Sequence, residues 1–329
     1  MIYLESMSTE PYYNLATEQF VFDELPASDE YFMLWQNDNS IIVGKYQNTI
    51  EEINAPYVEE HGIRVARRLS GGGAVYHDLG NLNYTLICDA GSDVSINMAR
   101  FCVPVVKALA SIGVKAEISG RNDMTIDGLK FSGNSQYVKR GRVMHHGTLM
   151  FDSDLEVVSN ALHVSQDKIL SKGVRSVRSR VTNIREHLPH DMDLSEFKDA
   201  LVRSMSSENG LTRREFTESD RAAIQKLRDE KYSTWEWNYG SSPAYNVRKE
   251  RRIDGCGIVQ ISMDVKKGVI SGASISGDFF GSGEISDVEQ RLKGCRVERS
   301  ALEKELDGLD TDYYLKNLTR NQLIDVILQ

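Results

Sequence analysis

The stretch Arg67-Arg68-Leu69-Ser70-Gly71-Gly72-Gly73-Ala74-Val75-Tyr76-His77-Asp78 gathers residue types suited to an anionic ligand. Each glycine costs roughly 1 kcal/mol relative to alanine in regular structure, yet it lets backbone N–H groups approach a ligand with no Cβ in the way. Arg67 or Arg68 can offer a planar fork of donors to phosphate or carboxylate oxygens, with the other facing solvent or an internal acid. A flexible hairpin tip with charged flanks is the competing reading of a bare Gly-Gly-Gly. The loop is neither a Walker A loop, since no Gly-Lys-Ser/Thr follows, nor a dinucleotide fingerprint, since no helix begins there.

Other chemistry is spread along the chain. Lys130 stands between Asn122-Asp123 and Ser132-Gly133, and in isolation it reads equally as a solubilising hairpin lysine. Asp123 is a candidate Mg2+ ligand, because Mg2+ takes one or two carboxylates and keeps several waters; an ordinary turn aspartate competes with that reading. Asn122 is placed to orient phosphates or Lys130. His77, His145 and His146 invite a zinc reading, but adjacent histidines on a strand point to opposite faces and do not converge on one ion without a bulge. Lys168 to Arg185 carries Lys172, Arg175, Arg178, Arg180 and Arg185 with no acid, which reads as a solvated basic surface. Cys88, Cys102, Cys256 and Cys295 lack metal-type spacing and suit reduced thiols in a cytoplasm.

The elements that must position these groups follow from patterning. With 329 residues, one large and one small domain are expected. A helix spans about 11–25, and Tyr31–Trp35 with Ser40–Gly44 reads as a β-hairpin. Thr49 and Glu52 have capping-box spacing for a short helix that stops near Gly62. Strands Ile63–Arg68 and Asn81–Cys88 hold the glycine loop at both ends, and a helix over 95–111 ends at Gly113. A strand Val114–Ile118 follows. Asp127-Gly128 and Arg140-Gly141 turn hairpins, placing Lys130 on a strand. Helices follow near 152–162, 194–207 and 217–231. Trp235–Pro243 is an irregular linker whose aromatics dock. Three strands, with a turn at Lys266-Lys267-Gly268, and three helices form a small C-terminal unit. The order is α+β, without the regular alternation of a doubly wound sheet.

Composition excludes several classes. A hydrophobic content of 40% describes an ordinary globule, and a net charge of −9 argues against nucleic acid as the main partner. No apolar run approaches the ~20 residues of a membrane span, and Met1-Ile2-Tyr3-Leu4-Glu5 starts no secretory signal, so no membrane and a cytoplasmic location are expected.

Arg67 to Asn83 closely resembles the signature loop of the lipoate-protein ligase A family, within the biotin/lipoate ligase superfamily. The resemblance continues through Ser119-Gly120-Arg121-Asn122-Asp123, Lys130-Phe131-Ser132-Gly133, His145-His146-Gly147-Thr148-Leu149, Val177–Asn183 and Trp235–Gly240. It implies an α+β catalytic domain related to class II aminoacyl-tRNA synthetases over 1–245, a hinge at 235–245, and an accessory domain over 246–329. It further implies activation of lipoate with ATP and Mg2+ to lipoyl-AMP, then transfer to a lysine of lipoyl carrier domains, such as E2 subunits of 2-oxoacid dehydrogenases or the glycine cleavage H protein. Lys130 would be catalytic and would touch both ligands. Arg68, Gly73, Ala74, Val75, Tyr76, Asn122 and Arg180 would bind ATP or lipoyl-AMP. Ser70, Gly71, Gly72, His77, Asn83, Gly133, His146 and Gly147 would bind lipoate. The enzyme would be a monomer. The chain departs from the pattern at Asn134-Ser135-Gln136, where some ligases read Ser-Ala-Tyr, and at Tyr137, where those ligases place an arginine shortly afterwards. The rivals are a cysteine-dependent octanoyl or lipoyl amidotransferase, with Cys88 nearest the loop, a biotin ligase, and a non-catalytic sensor of lipoyl-AMP.

Overall fold

The computed structural model describes residues 1–90, 98–120, 122–162, 180–239, 247–266 and 268–328. The start of the helix at Ser95, Arg121, most of the basic stretch including Lys172, Arg175 and Arg178, the linker from Gly240, and the turn residue Lys267 lie outside them.

In chain order the first strands are β1 (Ile2–Glu5), β2 (Tyr31–Trp35), β3 (Ser40–Val43), β4 (Arg64–Arg67), β5 (Val75–His77) and β6 (Asn81–Asp89). They are followed by β7 (Glu117–Ser119), β8 (Asp123–Ile126), β9 (Leu129–Lys139), β10 (Arg142–Met150) and β11 (Thr212–Arg213). The last three are β12 (Val247–Ile253), β13 (Gly257–Lys266) and β14 (Val269–Gly277).

Among the described residues, eight strands form one mixed sheet in the order β11-β1-β2-β6-β10-β9-β8-β7. Period-two patterning makes β6 its centre. Leu82, Tyr84, Leu86 and Cys88 enter a core under the helices Met98–Ser111 and Leu194–Asn209, while Asn83, Thr85 and Ile87 face the opposite side. That opposite side is covered by the helices Pro11–Glu24 and Glu218–Leu227 and by the small sheet β4-β3-β5. The α+β expectation is met. Asp127 and Gly128, and Arg140 and Gly141, all have positive φ, so both expected hairpin turns form.

The glycine loop joins β4 to β5, the outer strands of the small sheet, and so crosses the end of β3. Arg68 N donates to Val43 O at 3.1 Å and Lys45 N to Ser70 O at 2.8 Å, which ties the loop to the residues that follow β3.

Several sequence expectations change here. β2 and β3 do not form a hairpin; each is the inner strand of a different sheet and is buried along its whole length. Such runs mark strands with neighbours on both sides. The residues between them are structural, since Asn37 is buried against Asn14 and His77. Thr49 is not an N-cap. Its hydroxyl donates to Asn238 O at 2.5 Å, and the segment forms two short helices, Thr49–Glu52 and Ala55–Glu60. The strand expected at Val114–Ile118 is β7, shifted toward Ser119. β5 sits inside the expected loop.

The first part of the expected linker is helical. Thr234 caps the helix Trp235–Asn238, and Asn238 is buried against β4. Its Oδ1 accepts from Arg67 N at 2.8 Å, and its Nδ2 donates to Tyr232 O at 2.8 Å and Thr234 O at 2.9 Å. Trp237 docks by donating to Arg67 O at 2.9 Å, whereas Trp235 is largely exposed.

The C-terminal strands form the meander β12-β13-β14, covered by the helices Ile285–Leu292, Arg299–Glu305 and Arg320–Leu328. This unit has its own apolar core, which Tyr46 joins by stacking on Phe279 at 4.8 Å between ring centroids.

Asn238→Ala strands Arg67 N on β4 and the carbonyls of Tyr232 and Thr234 and is expected to cost about 2–4 kcal/mol, with a lower urea midpoint and an unchanged slope. The exposed Trp235→Ala should stay within about 0.5 kcal/mol of wild type in the same titration.

Candidate active site

The loop is shaped by two buried arginines. Arg67 Nη1 donates to Gly44 O (2.8 Å), Lys45 O (3.1 Å) and Gln47 O (2.7 Å), and Nη2 to Thr49 Oγ1 at 2.6 Å. Arg68 Nη1 donates to Ile42 O (3.0 Å), Nη2 to Gly71 O (2.7 Å) and Gly73 O (2.9 Å), and Nε to Ser70 Oγ (3.1 Å). Neither guanidinium faces solvent; of the two alternatives for the second arginine, the fold supplies the internal acid, Glu18, whose charge acts on Arg68, and Arg68 turns its fork into its own loop. Burial pushes both down to about 10, where they remain cationic.

A buried carboxylate lies beneath Arg68. Glu18, on the helix Pro11–Glu24, accepts from Thr85 Oγ1 at 2.5 Å and from His146 Nδ1 at 2.9 Å. His146 Nε2 meets Ser70 Oγ at 2.6 Å. Because Ser70 Oγ accepts from Arg68 Nε, its own proton goes to His146. The connectivity is that of a nucleophile–base–acid triad, but Ser70 is 1% exposed, so the chain locks the loop rather than presenting a nucleophile.

Lys130 reaches the same side of the sheet through a bulge. Met124 pairs with Ser132 and Thr125 with Lys130, so Phe131 has no partner on β8. Phe131 drops into the core with Met124, and Lys130 extends over Gly133, where an added Cβ would lie 3.1 Å from its Nζ. Lys130 Nζ pairs with Asp123 Oδ1 at 2.7 Å. Two residues past Gly133 on that face, Ser135 Oγ donates to Gly71 O at 2.8 Å, placing the loop beside the lysine's strand. Lys130 N also donates to Arg180 O at 2.8 Å, and Thr182 N to Lys130 O at 2.9 Å.

The expected residues divide by face. Ser70, Gly71, Gly72, His77, Asn83, Gly133, His146 and Lys130 share the loop side. Gly147 lies on the other side: a Cβ there would strike Tyr84 and Asn134, whose hydrogen bond at 2.5 Å it makes room for. Asn122 donates to Asn134 O at 3.0 Å and accepts from Asn134 Nδ2 at 3.1 Å, so it braces β9 rather than Lys130. Tyr76 donates to Asn39 Oδ1 at 3.0 Å. His145 and His146 face opposite ways as expected, and no acidic, histidine or cysteine cluster able to hold a metal is found among the described residues.

Glu18 and Phe279 were not read from the sequence as site residues. Glu18 was findable, since it sits at helical spacing from Leu15 and Phe22 on a buried face. Phe279 carried no such signal. Its carbonyl accepts from Gly72 N at 3.2 Å, a Cβ on Gly71 would strike that carbonyl, and Lys45 pairs with Glu284 at 3.1 Å.

A glycine loop pinned over a mixed sheet, beside an acid-paired lysine, defines a class that the comparisons identify. The lipoyl protein ligase A/B catalytic domain matches residues 10–206, and the bacterial lipoate protein ligase C-terminus matches residues 242–327. The lipoate-protein ligase LplJ of Bacillus subtilis is 44% identical, covering 99% of this chain and 100% of that protein. Lipoate–protein ligase 1 of Staphylococcus aureus is 46% identical over 96% of each. In fold, the chain is similar to P. falciparum LipL1 in complex with lipoate, with a TM-score of 0.81 at 22% identity, covering 100% and 99% of the two chains. A bipartite ligase of Thermoplasma acidophilum, solved in a study with its E2 lipoyl domain, gives 0.63 at 30% identity over 75% of this chain and 98% of that one. Lipoate-protein ligase A bound with ATP gives 0.62 at 27% identity over 73% and 97%. The chain therefore belongs to the lipoate–protein ligase family.

Two buried histidines, His77 on the loop side and His145 on the opposite face of the sheet, give the fold a pH signature. Desolvation, with lesser repulsion from Arg68 and His146, lowers His77 from 6.5 to about 3. Desolvation and His146 do the same to His145, which is stacked on Phe101. Folded pKa values below the unfolded ones mean that the unfolded chain binds more protons, so stability is full above pH 6.5 and falls as pH drops toward 3. Each histidine should contribute a slope of up to about 1.4 kcal/mol per pH unit. Urea midpoints measured from pH 7 to pH 5 should fall less steeply in His145→Gln than in wild type.

Proposed function

We propose that this chain activates free lipoate with Mg-ATP to lipoyl-AMP and pyrophosphate, then transfers the lipoyl group to a lysine of a lipoyl carrier domain. The observation that carries this reading is Lys130, brought by the bulge to the loop side of the sheet and held there by Asp123. In the first step a carboxylate oxygen of lipoate attacks the α-phosphorus, and pyrophosphate leaves with the bonding pair. In the second, a neutral carrier amine attacks the acyl carbon, AMP leaves, and the amine loses its proton. Lys130 supplies a compact cation where phosphate charge builds, which stabilises the transition state more than the ground state. It need not act as a base.

Asp123 fits Mg2+ as a single carboxylate, the ion being held otherwise by phosphate oxygens and water. The ion would offset phosphate charge, and Lys130 would exchange its carboxylate partner for substrate oxygens. Gly73, Ala74, Val75 and Tyr76 would offer backbone to the nucleotide, with Arg68 keeping that backbone in shape and Arg180 approaching beside Lys130. Ser70, Gly71, Gly72, His77, Asn83, Gly133 and His146 would surround the acyl chain. The domains would be 1–245 and 246–329, with the accessory domain leaving the glycine loop by breaking the Phe279–Gly72 contact about a hinge at 235–245. E2 subunits or the glycine cleavage H protein would be the carriers, and the enzyme would act as a monomer in the cytoplasm.

The amidotransferase reading lacks an activated thiol. All four cysteines are buried, and burial pushes Cys88 up and Cys102 up to about 11, the opposite of what a nucleophile needs. The lysine–aspartate pair counts against a sensor, which has no transition state to stabilise.

Lipoate-dependent exchange of labelled pyrophosphate into ATP should be present in wild type and fall about 100-fold or more in Lys130→Ala. Lys130→Arg should not restore it, because a planar fork does not replace a compact ammonium. Lack of exchange in folded wild-type protein would sink the proposal.

A further inference from the structure

Asp123 stands where the sheet gives it little hold. β8 has the short, exposed β7 on one side and β9 on the other, and the bulge interrupts the β8–β9 ladder just after Met124. This end of β8 is secured by a clasp between two amides. Asn134 N and Nδ2 both donate to Asn122 O, at 2.8 and 3.1 Å, and Asn122 Nδ2 donates back to Asn134 O at 3.0 Å. Asn122 directly precedes Asp123, so the clasp sets where the carboxylate starts. A carbonyl only accepts, so Asn134 must turn its Nδ2 toward Asn122 and its Oδ1 away.

That orientation propagates across the sheet. Tyr84, Gly147 and Asn134 are in register on β6, β10 and β9, and the bare Gly147 lets the phenol reach over the middle strand. Tyr84 donates to Asn134 Oδ1 at 2.5 Å, so its oxygen takes the proton of His145 Nε2 at 3.1 Å. His145 Nδ1 then accepts from Gln136 Nε2 at 3.2 Å, and burial keeps the ring neutral. The imidazole stacks on Phe101 of the helix Met98–Ser111 at 5.1 Å. Tyr84, Asn134, Gln136 and His145 are all buried, on the face opposite the glycine loop. A directed chain of hydrogen bonds thus runs from beneath that helix to the strand end that carries Asp123.

We infer that Tyr84 and Asn134 are positioning residues, which fix Asp123 through Asn122 and thereby hold the Lys130 ammonium in place from the far side of the sheet. This rests on the proposal that Lys130 and Asp123 serve adenylation. Their side chains are 36% and 27% exposed, and an ion pair so open to water does not hold its own geometry. The buried network supplies the rigidity that the pair lacks. A cation stabilises developing charge at full strength only when it is already in place, and a misplacement of about 1 Å can cost roughly 100-fold. Asp123 needs the same fixity for itself, since it must keep its position while Lys130 turns from it to phosphate.

The test compares Tyr84→Phe, which removes one oxygen from the network, with Val143→Ala, which removes buried volume from the same core and leaves the network whole. Two readouts are taken: lipoate-dependent pyrophosphate exchange, and the rate at which acetic anhydride labels Lys130 in the substrate-free enzyme, followed by peptide mass spectrometry. In Tyr84→Phe, kcat should fall about tenfold or more, with the KM for lipoate unchanged. The Mg2+ needed for half-maximal exchange should rise, and Lys130 should label several-fold faster. Val143→Ala should match wild type in each. Where Tyr84→Phe does not fold, Asn134→Ser carries the same expectations. Wild-type Mg2+ dependence and labelling in the folded variant, or the same changes in Val143→Ala, overturn the inference and leave the ligase reading intact. No exchange by wild type overturns that reading, and Lys130 labelling then decides whether the network holds the pair.

Discussion

Arg68 closes the glycine loop on itself, donating to Gly71 O and Gly73 O from one nitrogen and to Ile42 O from the other. Burying a guanidinium so completely is costly, and the structure offsets that cost with carbonyl oxygens and with the carboxylate of Glu18. Glu18 would be equally costly alone. Thr85, His146 and Arg68 make it tolerable, and His146 returns the connection to the loop through Ser70. Three distant segments, a helix near the N-terminus, the central strands and the loop, thus share one buried charge network. Removing one member would leave the others unpaired in a low-dielectric interior, so the network acts as a unit.

The glycines serve this arrangement twice. Gly72 has a φ of 91°, a conformation that suits glycine, and an added Cβ there would press on both Arg68 and the Phe280 ring. Gly71 admits the Phe279 carbonyl. The same bare backbone that would let a ligand approach therefore lets the C-terminal unit approach, and the two uses compete for one surface. The Phe279 contact and the ion pair between Lys45 and Glu284 are the links such competition would have to break.

Most of the fold was legible because it rests on local signals. The positive-φ turns at Asp127-Gly128 and Arg140-Gly141, and the opposite facing of His145 and His146, follow from chain geometry alone. The failures have one cause. Ser40–Val43 and Tyr31–Trp35 look like hairpin partners because a short polar link joins them, yet their partners lie elsewhere in the chain, and sequence proximity says nothing about that. Thr49 was read as a cap because its spacing to Glu52 fits, but Arg67 and Asn238 take its hydroxyl. The sequence left open which of Arg67 and Arg68 would meet a ligand and which would face solvent or an internal acid, and both are buried among backbone carbonyls. The electrostatic attraction between Arg68 and Glu18, which come from distant segments, appears only in the fold.

The bulge at Phe131 shows why a motif alone underdetermines a site. On a regular strand, Lys130 would share a face with Ser132 and Asn134, which point toward Tyr84 and the helices Met98–Ser111 and Leu194–Asn209. An ammonium there would be driven into an apolar core. One unpaired residue reverses the alternation, sends Phe131 into that core, and brings Lys130 over Gly133 beside Asp123. The glycine leaves room for the ammonium, because a Cβ at 133 would press on the Nζ at 3.1 Å. Lys-Phe-Ser-Gly thus reads as one device: a cation, an apolar anchor that flips it across the sheet, and a bare position for it to cross.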